Sequence, residues 1–433
     1  MNDIKVTFTI VTLKHEPQID ISGSYENVLK IYIQVLLAFG AKCNVDESGI
    51  MKCQGERFQK YSQNIKENLS HLMVLSSNNA IGQLYNIFKQ MDFGDPFAFF
   101  PQPLTVDEIS VVREEMIKRY LGPQYENYKS YYDNIWKNIT NNYNITHYEN
   151  GHNTISSIGE KGKSKRICRF CGLKIPETTF NNKSHSISEA LGNKNIITND
   201  ECDACNAFFG KNIEIDLINC LDFFRLFYDI QGKGGKKKFA SKDFEITKDN
   251  IQNEILLKIQ EENIALEDKN KIKIQLKHPQ KINWQNVYRT LVKYALSVCN
   301  ESYLQNFKET IKWIKSDFSC KELSWVTILA TNKTSKSFPE ISVFFRKNEN
   351  TELPYSFMVL EINGLAFIAL IPLSSKDNCN FNSELDFNRF WELLKPYNQN
   401  PILKRFKPLA DEAKEFTYDI SFEQRNEHKN NNA

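Results

Sequence analysis

Arg166-Ile167-Cys168-Arg169-Phe170-Cys171 and Asn199-Asp200-Glu201-Cys202-Asp203-Ala204-Cys205-Asn206 decide the fold of this chain. Each stretch carries a Cys-x-x-Cys knuckle, and 30 residues separate Cys171 from Cys202. A knuckle can turn both of its sulfurs toward one ion, so two knuckles can surround zinc with four thiolates. The spacing predicts a closed, structural Zn²⁺ held by Cys168, Cys171, Cys202 and Cys205. The gap exceeds the roughly 15–20 residues of a simple zinc ribbon. A folded element must therefore lie between the knuckles.

That interval reads Ser184-His185-Ser186-Ile187-Ser188-Glu189-Ala190-Leu191-Gly192-Asn193, then Asn195-Ile196-Ile197. His185 is expected to end a strand, Gly192-Asn193 to turn the chain, and Ile196-Ile197 to form a second strand. A helix capped by Asp200 should follow, with Asn206 about a turn and a half inside it. The result is a strand–loop–strand–helix hairpin pinned at both ends by one zinc.

The order Cys-x-x-Cys, His-x-Ile-x-Glu-x-Leu-Gly-Asn and Asn-x-x-Cys-x-x-Cys-Asn resembles the His-Asn-His (HNH) endonucleases, in particular the subgroup with a four-cysteine zinc and a Cys-Asn ending. The resemblance spans residues 168–216 and implies a ββα-metal fold. It also implies roles. His185 matches the general base that takes a proton from water attacking phosphorus. Asn199 matches the middle Asn that holds the ββα loop. Asn206 matches a ligand of the catalytic divalent ion, Mg²⁺ or Mn²⁺, which would neutralise the scissile phosphate. The family often places Asp, Glu or His directly before the base, and Ser184 stands there instead. The missing carboxylate is sought at Glu189, Glu214 or Asp216, or in water, with Glu189 the candidate ligand. The same departure motivates the alternative: a degenerate zinc finger that binds DNA or a protein partner without cutting.

Charge around the knuckles fits a polyanion. No acid occurs among residues 161–174, which include Lys165, Arg166, Arg169 and Lys174. A second run holds Lys236, Lys237 and Lys238, and Lys194 and Lys211 lie within the finger. These side chains are the candidate phosphate contacts. The glycines and lysines at 232–236 lack the spacing of a nucleotide-binding P-loop.

Outward from this centre the composition is that of an ordinary globular protein. The 433 residues are 41% hydrophobic and 25% charged, which excludes collagenous, wholly disordered and disulfide-miniprotein classes. A net charge of +2 excludes a uniformly basic DNA-coating protein. No secretory leader is expected, and the apolar run 357–373 is broken by Glu361, Asn363 and Gly364, so no membrane span is expected. These readings make the chain a soluble cytoplasmic protein with no membrane partner. The six cysteines outside the knuckles are expected to be small buried hydrophobes.

The fold class expected is α+β: a central zinc-stapled ββα-metal HNH module between an N-terminal α/β region and a C-terminal α+β region. The boundaries read are 1–155 for the first region, 156–230 for the HNH module and its following helix, 231–425 for the last region, and 426–433 for a disordered tail. Ser24 should cap a helix bearing Val28, Val35 and Leu36, and Thr105 and Glu108 a capping box. Pro96, Pro101 and Pro103 mark an extended connector. Asn283 should cap a helix with Val287, Leu291, Ala295 and Val298 on one side, and Asn363-Gly364 should turn a β-hairpin. The function read is metal-dependent hydrolysis of DNA, or of RNA, in an effector resembling those of restriction and anti-phage defence, with a homodimer or a defence-system protein as partner.

Overall fold

The computed structural model describes residues 4–12, 16–75, 78–89, 91–149, 155–230, 239–249, 254–260, 264–268, 271–331, 338–398 and 400–423. The chain divides into two compact units, 1–133 and 134–433. The fold class is α+β, with an HNH module inside the second unit.

The first unit is built on a four-stranded antiparallel sheet in the order Gln18–Gly23, Ile4–Thr12, Pro96–Phe100, Phe58–Lys60. Strand side chains alternate between faces. Phe8, Ile10, Phe97 and Phe99 therefore meet helices Tyr25–Ala38, Gln63–Leu75 and Asn79–Phe88 on one side. Val11, Ala98 and Phe100 meet helix Val106–Leu121 on the other. The capping box forms as read, Thr105 and Glu108 bonding each other's backbone amides. Ser24 occupies its N-cap without a side-chain cap bond. The first part of the expected proline connector, Pro96–Phe100, is instead an inner strand with all five residues buried, while Pro101 and Pro103 follow it outside any regular element. Pro96 is tolerated because it stands first, where no ladder donor is missed. Cys43 and Cys53 depart from the buried-hydrophobe reading: they face each other across the exposed hairpin Lys42–Val45/Met51–Gln54 and form a disulfide.

The second unit centres on a six-stranded antiparallel sheet in the order Ile402–Phe406, Val326–Ala330, Leu365–Leu370, Ser356–Ile362, Glu340–Arg346, Tyr143–Glu149. Asn363 and Gly364 both take positive φ, 50° and 75°, as a tight two-residue hairpin turn requires. One sheet face, with Val343, Phe345, Met358 and Phe367, packs against helix Trp284–Val298. The other, with Phe344, Phe357 and Ile368, packs against helix Glu384–Leu393. Asn283 caps the helix Trp284–Val298, accepting from the amides of Gln285 and Asn286. This central helix is buried on every side, not on one stripe, because the HNH module covers the face that the sheet leaves open.

The tail 426–433 and the lysine run 236–238 lie outside the described residues. Among the described residues no helix is long and apolar enough to cross a membrane.

Candidate active site

The site is assembled on three short strands and one helix. Ser186 donates its amide to the Ile196 carbonyl and Thr198 to that of Ser184, so His185 bridges Ile197 in an antiparallel hairpin. Strand Ser156–Ile158 pairs in parallel on the far side of Ile196–Thr198. The helix Asp203–Asn212 follows, with Cys202 as its N-cap. The expected cap, Asp200, is engaged elsewhere, and the stretch read as one helix after Asn206 breaks into Asp203–Asn212, Glu214–Cys220 and Asp222–Phe227. Strand, loop, strand and helix appear in the order read from the sequence.

The four knuckle sulfurs all lie within 4.8 Å of one another, with Cys171 and Cys202 at 3.7 Å. An ion about 2.3 Å from four tetrahedral sulfurs sets them roughly 3.8 Å apart, so the quartet suits zinc. The amides of Cys202 and Cys205 point at the sulfurs of Cys168 and Cys202, as knuckle turns do. Without a cation the group is electrostatically poor. A hydrogen bond from Cys205 holds Cys168 down to about 5, while burial pushes Cys171 up to about 11, and the hydrogen bond to Cys168 pushes Cys205 far upward. A dication removes that conflict by accepting all four as thiolates. Phe170 and Phe209 close the quartet off with an edge-to-face contact, ring centroids 4.8 Å apart.

His185 and Glu189 come together, Nε2 to Oε2 being 3.8 Å, with both side chains half-buried. Glu189 opens a single 3₁₀ turn, Glu189–Leu191, which Ser188 caps and Gly192 ends in the left-handed conformation. The buried Arg225 guanidinium donates to the Ala190 carbonyl and holds this turn in place. On the other flank the Ser184 hydroxyl donates to Asn206 Oδ1 at 3.4 Å. The base candidate thus has a carboxylate beside its ring, and Asn206 is bonded to the residue before it.

The loop-holding role read for Asn199 belongs by geometry to Asn193. The Asn193 Nδ2 donates to the carbonyls of Ile187 and Ile196, and its Oδ1 accepts from the amides of Asn195 and Ile196, all at 2.9–3.1 Å. Asn199 instead bonds the Ser157 hydroxyl and ties down the parallel strand. Asn193 was visible in the sequence as the residue after Gly192, but that position reads equally well as a plain turn.

Arg169 is the second correction. Its side chain is 1% exposed, forks onto Asp200, and donates to the carbonyls of Leu296, Ser297 and Cys299 at the end of the central helix. Its guanidinium is buried and committed to partners inside the protein, so it cannot grip a phosphate. Gly159 leaves the room this pair needs: a Cβ there would meet the Asp200 carboxylate at 2.3 Å. Arg166 donates to the carbonyls of Glu160 and Lys161 and closes its own loop. Lys165, Lys174, Lys194 and Lys211 are exposed at the surface.

Beneath Ser184 lies a buried cluster that the sequence did not announce. Lys293 of the central helix is 0% exposed and reaches Glu201 at 3.3 Å and Glu214 at 3.1 Å. Burial opposes its charge, but the two acids outweigh burial and raise its proton affinity. Burial raises Glu201 in turn, with Lys293 and the Ser184 hydroxyl pulling the other way. Glu214 is therefore committed to Lys293. Asp216 is committed as well, accepting from the Asn283 amide and the Asn286 side chain. Of the carboxylates considered for the metal, only Glu189 faces His185.

Residues 168–221 match the family model of the HNH endonucleases. No curated protein and no solved structure matches the chain. Together with the sulfur quartet, the match makes this segment an HNH zinc-binding module.

Proposed function

We propose that this HNH-bearing chain is a metal-dependent endonuclease that hydrolyses DNA phosphodiester bonds with His185 as general base. The observation that carries the reading is the Glu189 carboxylate 3.8 Å from His185 Nε2, with Asn206 bonded to the preceding residue, Ser184. In this reading the imidazole takes the proton of the attacking water, and the Glu189 carboxylate meets the positive charge that develops on the ring. Asn206, with Ser184 beside it, offers hard oxygen to Mg²⁺ or Mn²⁺, and that ion supplies charge neutralisation at the scissile phosphate. Lys165, Lys174, Lys194 and Lys211 hold the backbone without reading bases. The zinc is structural. We place the activity in restriction or anti-phage defence, to be tested by phage plating on cells expressing the wild type or the inactive variant.

The decisive measurement is plasmid nicking with Mg²⁺ or Mn²⁺, with an RNA substrate run in parallel. Wild type should nick DNA, and His185→Ala should lose roughly 100-fold to 10,000-fold in rate, with one zinc per chain retained. Equal cleavage by the variant would remove His185 from its role. Tight DNA binding with no cleavage under any divalent ion would favour the second reading, a binding module, which the serine at position 184 supports.

A further inference from the structure

Glu189 faces His185 from a single 3₁₀ turn, Glu189–Leu191. The backbone bonds of that turn run from the Leu191 amide to the Ser188 carbonyl and from the Gly192 amide to the Glu189 carbonyl, at 2.9 and 3.0 Å. So short a 3₁₀ piece has poor hydrogen-bond geometry and little rigidity of its own. Whatever fixes the middle of the turn therefore fixes the carboxylate. That group is Arg225, whose Nε donates to the Ala190 carbonyl and whose Nη1 donates to the Asp222 carboxylate, both at 2.7 Å. A guanidinium presents both donors in one rigid plane, so the fork sets a direction as well as a distance. The Arg225 side chain is 1% exposed, so water does not compete for these bonds.

Arg225 lies beyond the matched residues 168–221, on the helix Asp222–Phe227, and that helix is set by the C-terminal strands. Its Leu226 packs in a core with Phe244, Ile246 and Leu276. The Tyr418 hydroxyl donates to the Cys220 carbonyl at 2.8 Å, just ahead of the helix. His278, which follows the strand Lys271–Lys277, places its Nε2 3.6 Å from the second oxygen of Asp222. We propose that Arg225, braced by Asp222, is a positioning residue for the phosphodiester hydrolysis: it holds the Ala190 carbonyl so that the Glu189 carboxylate stays at the His185 ring. The C-terminal strands thereby act on the site through one side chain. The inference rests on the endonuclease reading above.

The test compares the full-length, zinc-loaded wild type with Arg225→Met, Glu189→Gln and the double variant in plasmid nicking with Mg²⁺. A misplacement of about 1 Å at a reacting group costs up to about 100-fold, so Arg225→Met should lower kcat about 10–100-fold with KM for plasmid unchanged. In the Glu189→Gln background, itself slower than wild type, the same change should cost less than about twofold, because the carboxylate that Arg225 positions is already gone. A merely structural arginine would cost the same factor in both backgrounds. Hydrogen exchange gives a readout apart from activity. The Leu191 and Gly192 amides should exchange about 10-fold faster or more in Arg225→Met, with zinc content and the protection of helix Trp284–Val298 unchanged. Should Arg225→Met not fold, Asp222→Asn, which keeps an acceptor for Arg225 but weakens its brace, must show the same two signs at smaller size. Equal losses in both backgrounds, unchanged kcat, unchanged exchange of the turn, or a Glu189→Gln variant as fast as wild type overturns the proposal while wild-type nicking stands. A wild type that nicks neither DNA nor RNA overturns the endonuclease reading itself, and the proposal falls with it.

Discussion

Single side chains in this module differ sharply in what they hold. Asn193 is fully buried, and its amide closes four backbone groups of the loop that carries Glu189. A buried polar group left unpaired costs roughly 1–3 kcal/mol. Asn193→Ala should therefore destabilise the module by about 3 kcal/mol or more and abolish nicking. Asn199→Ala loses one half-exposed bond to Ser157 and should cost less than about 1.5 kcal/mol. Urea denaturation of the two variants checks the order, and a larger loss at Asn199 would return the loop-holding role to that residue. The cysteine quartet was legible because its chemistry is carried by local spacing. Asn193 and Arg169 were not, because what an amide or a guanidinium does depends on its partner. The partners of Arg169 lie 31 to 130 positions away. A basic residue beside a zinc knuckle reads as a phosphate contact until Asp200 and the helix end at 296–299 come into view.

At the scale of elements, the expected turn at Asn363-Gly364 forms with both residues at positive φ. The central helix was harder. Val287, Leu291, Ala295 and Val298 read as one apolar side, which leaves Thr290, Lys293 and Ser297 for water. All three are 0% exposed. Thr290 donates to the Asn286 carbonyl one turn back in the same helix, whereas Lys293 meets two acids and Arg289 meets Asp411 and the Trp313 carbonyl, all distant in sequence. Amphipathic patterning cannot separate a polar face turned to water from one turned to a second protein layer. The distinction is measurable. On an exposed face Thr290→Glu would be nearly neutral; here it buries a carboxylate with no matched cation. Breaking or unbalancing a buried charge costs about 3–5 kcal/mol, and Thr290→Glu should lose that much in urea denaturation. A change below about 0.5 kcal/mol, the usual size for a surface site, would mean the face is open to solvent.

For the molecule as a whole, the question is whether the HNH segment is a self-sufficient finger. One apolar core runs from Cys168, Ile187, Ile196 and Phe209 through the central helix to Val343 and Phe367 of the sheet. Polar ties cross the same boundary: Arg169 to the carbonyls of 296–299, Thr198 to the Ser297 carbonyl, and Asn286 to Asp216. Two energies compete in an excised piece. Zinc bound by knuckle thiolates contributes roughly 10–16 kcal/mol in small fingers, and all four cysteines lie within 156–230. The hairpin has no such local source, since its buried Ile187, Leu191 and Ile196 pack in the core shared with the helix at 284–298. The segment 156–230 alone should therefore bind one zinc but leave the Ser186 and Thr198 amides exchanging fast with solvent. The unit 134–433 contains every tie just named, and should keep both amides protected and retain Mn²⁺ binding. Hydrogen exchange of the two fragments, with metal analysis, decides the matter. Slow exchange of both amides in the short fragment would show that the finger orders itself and that the central helix merely rests on it.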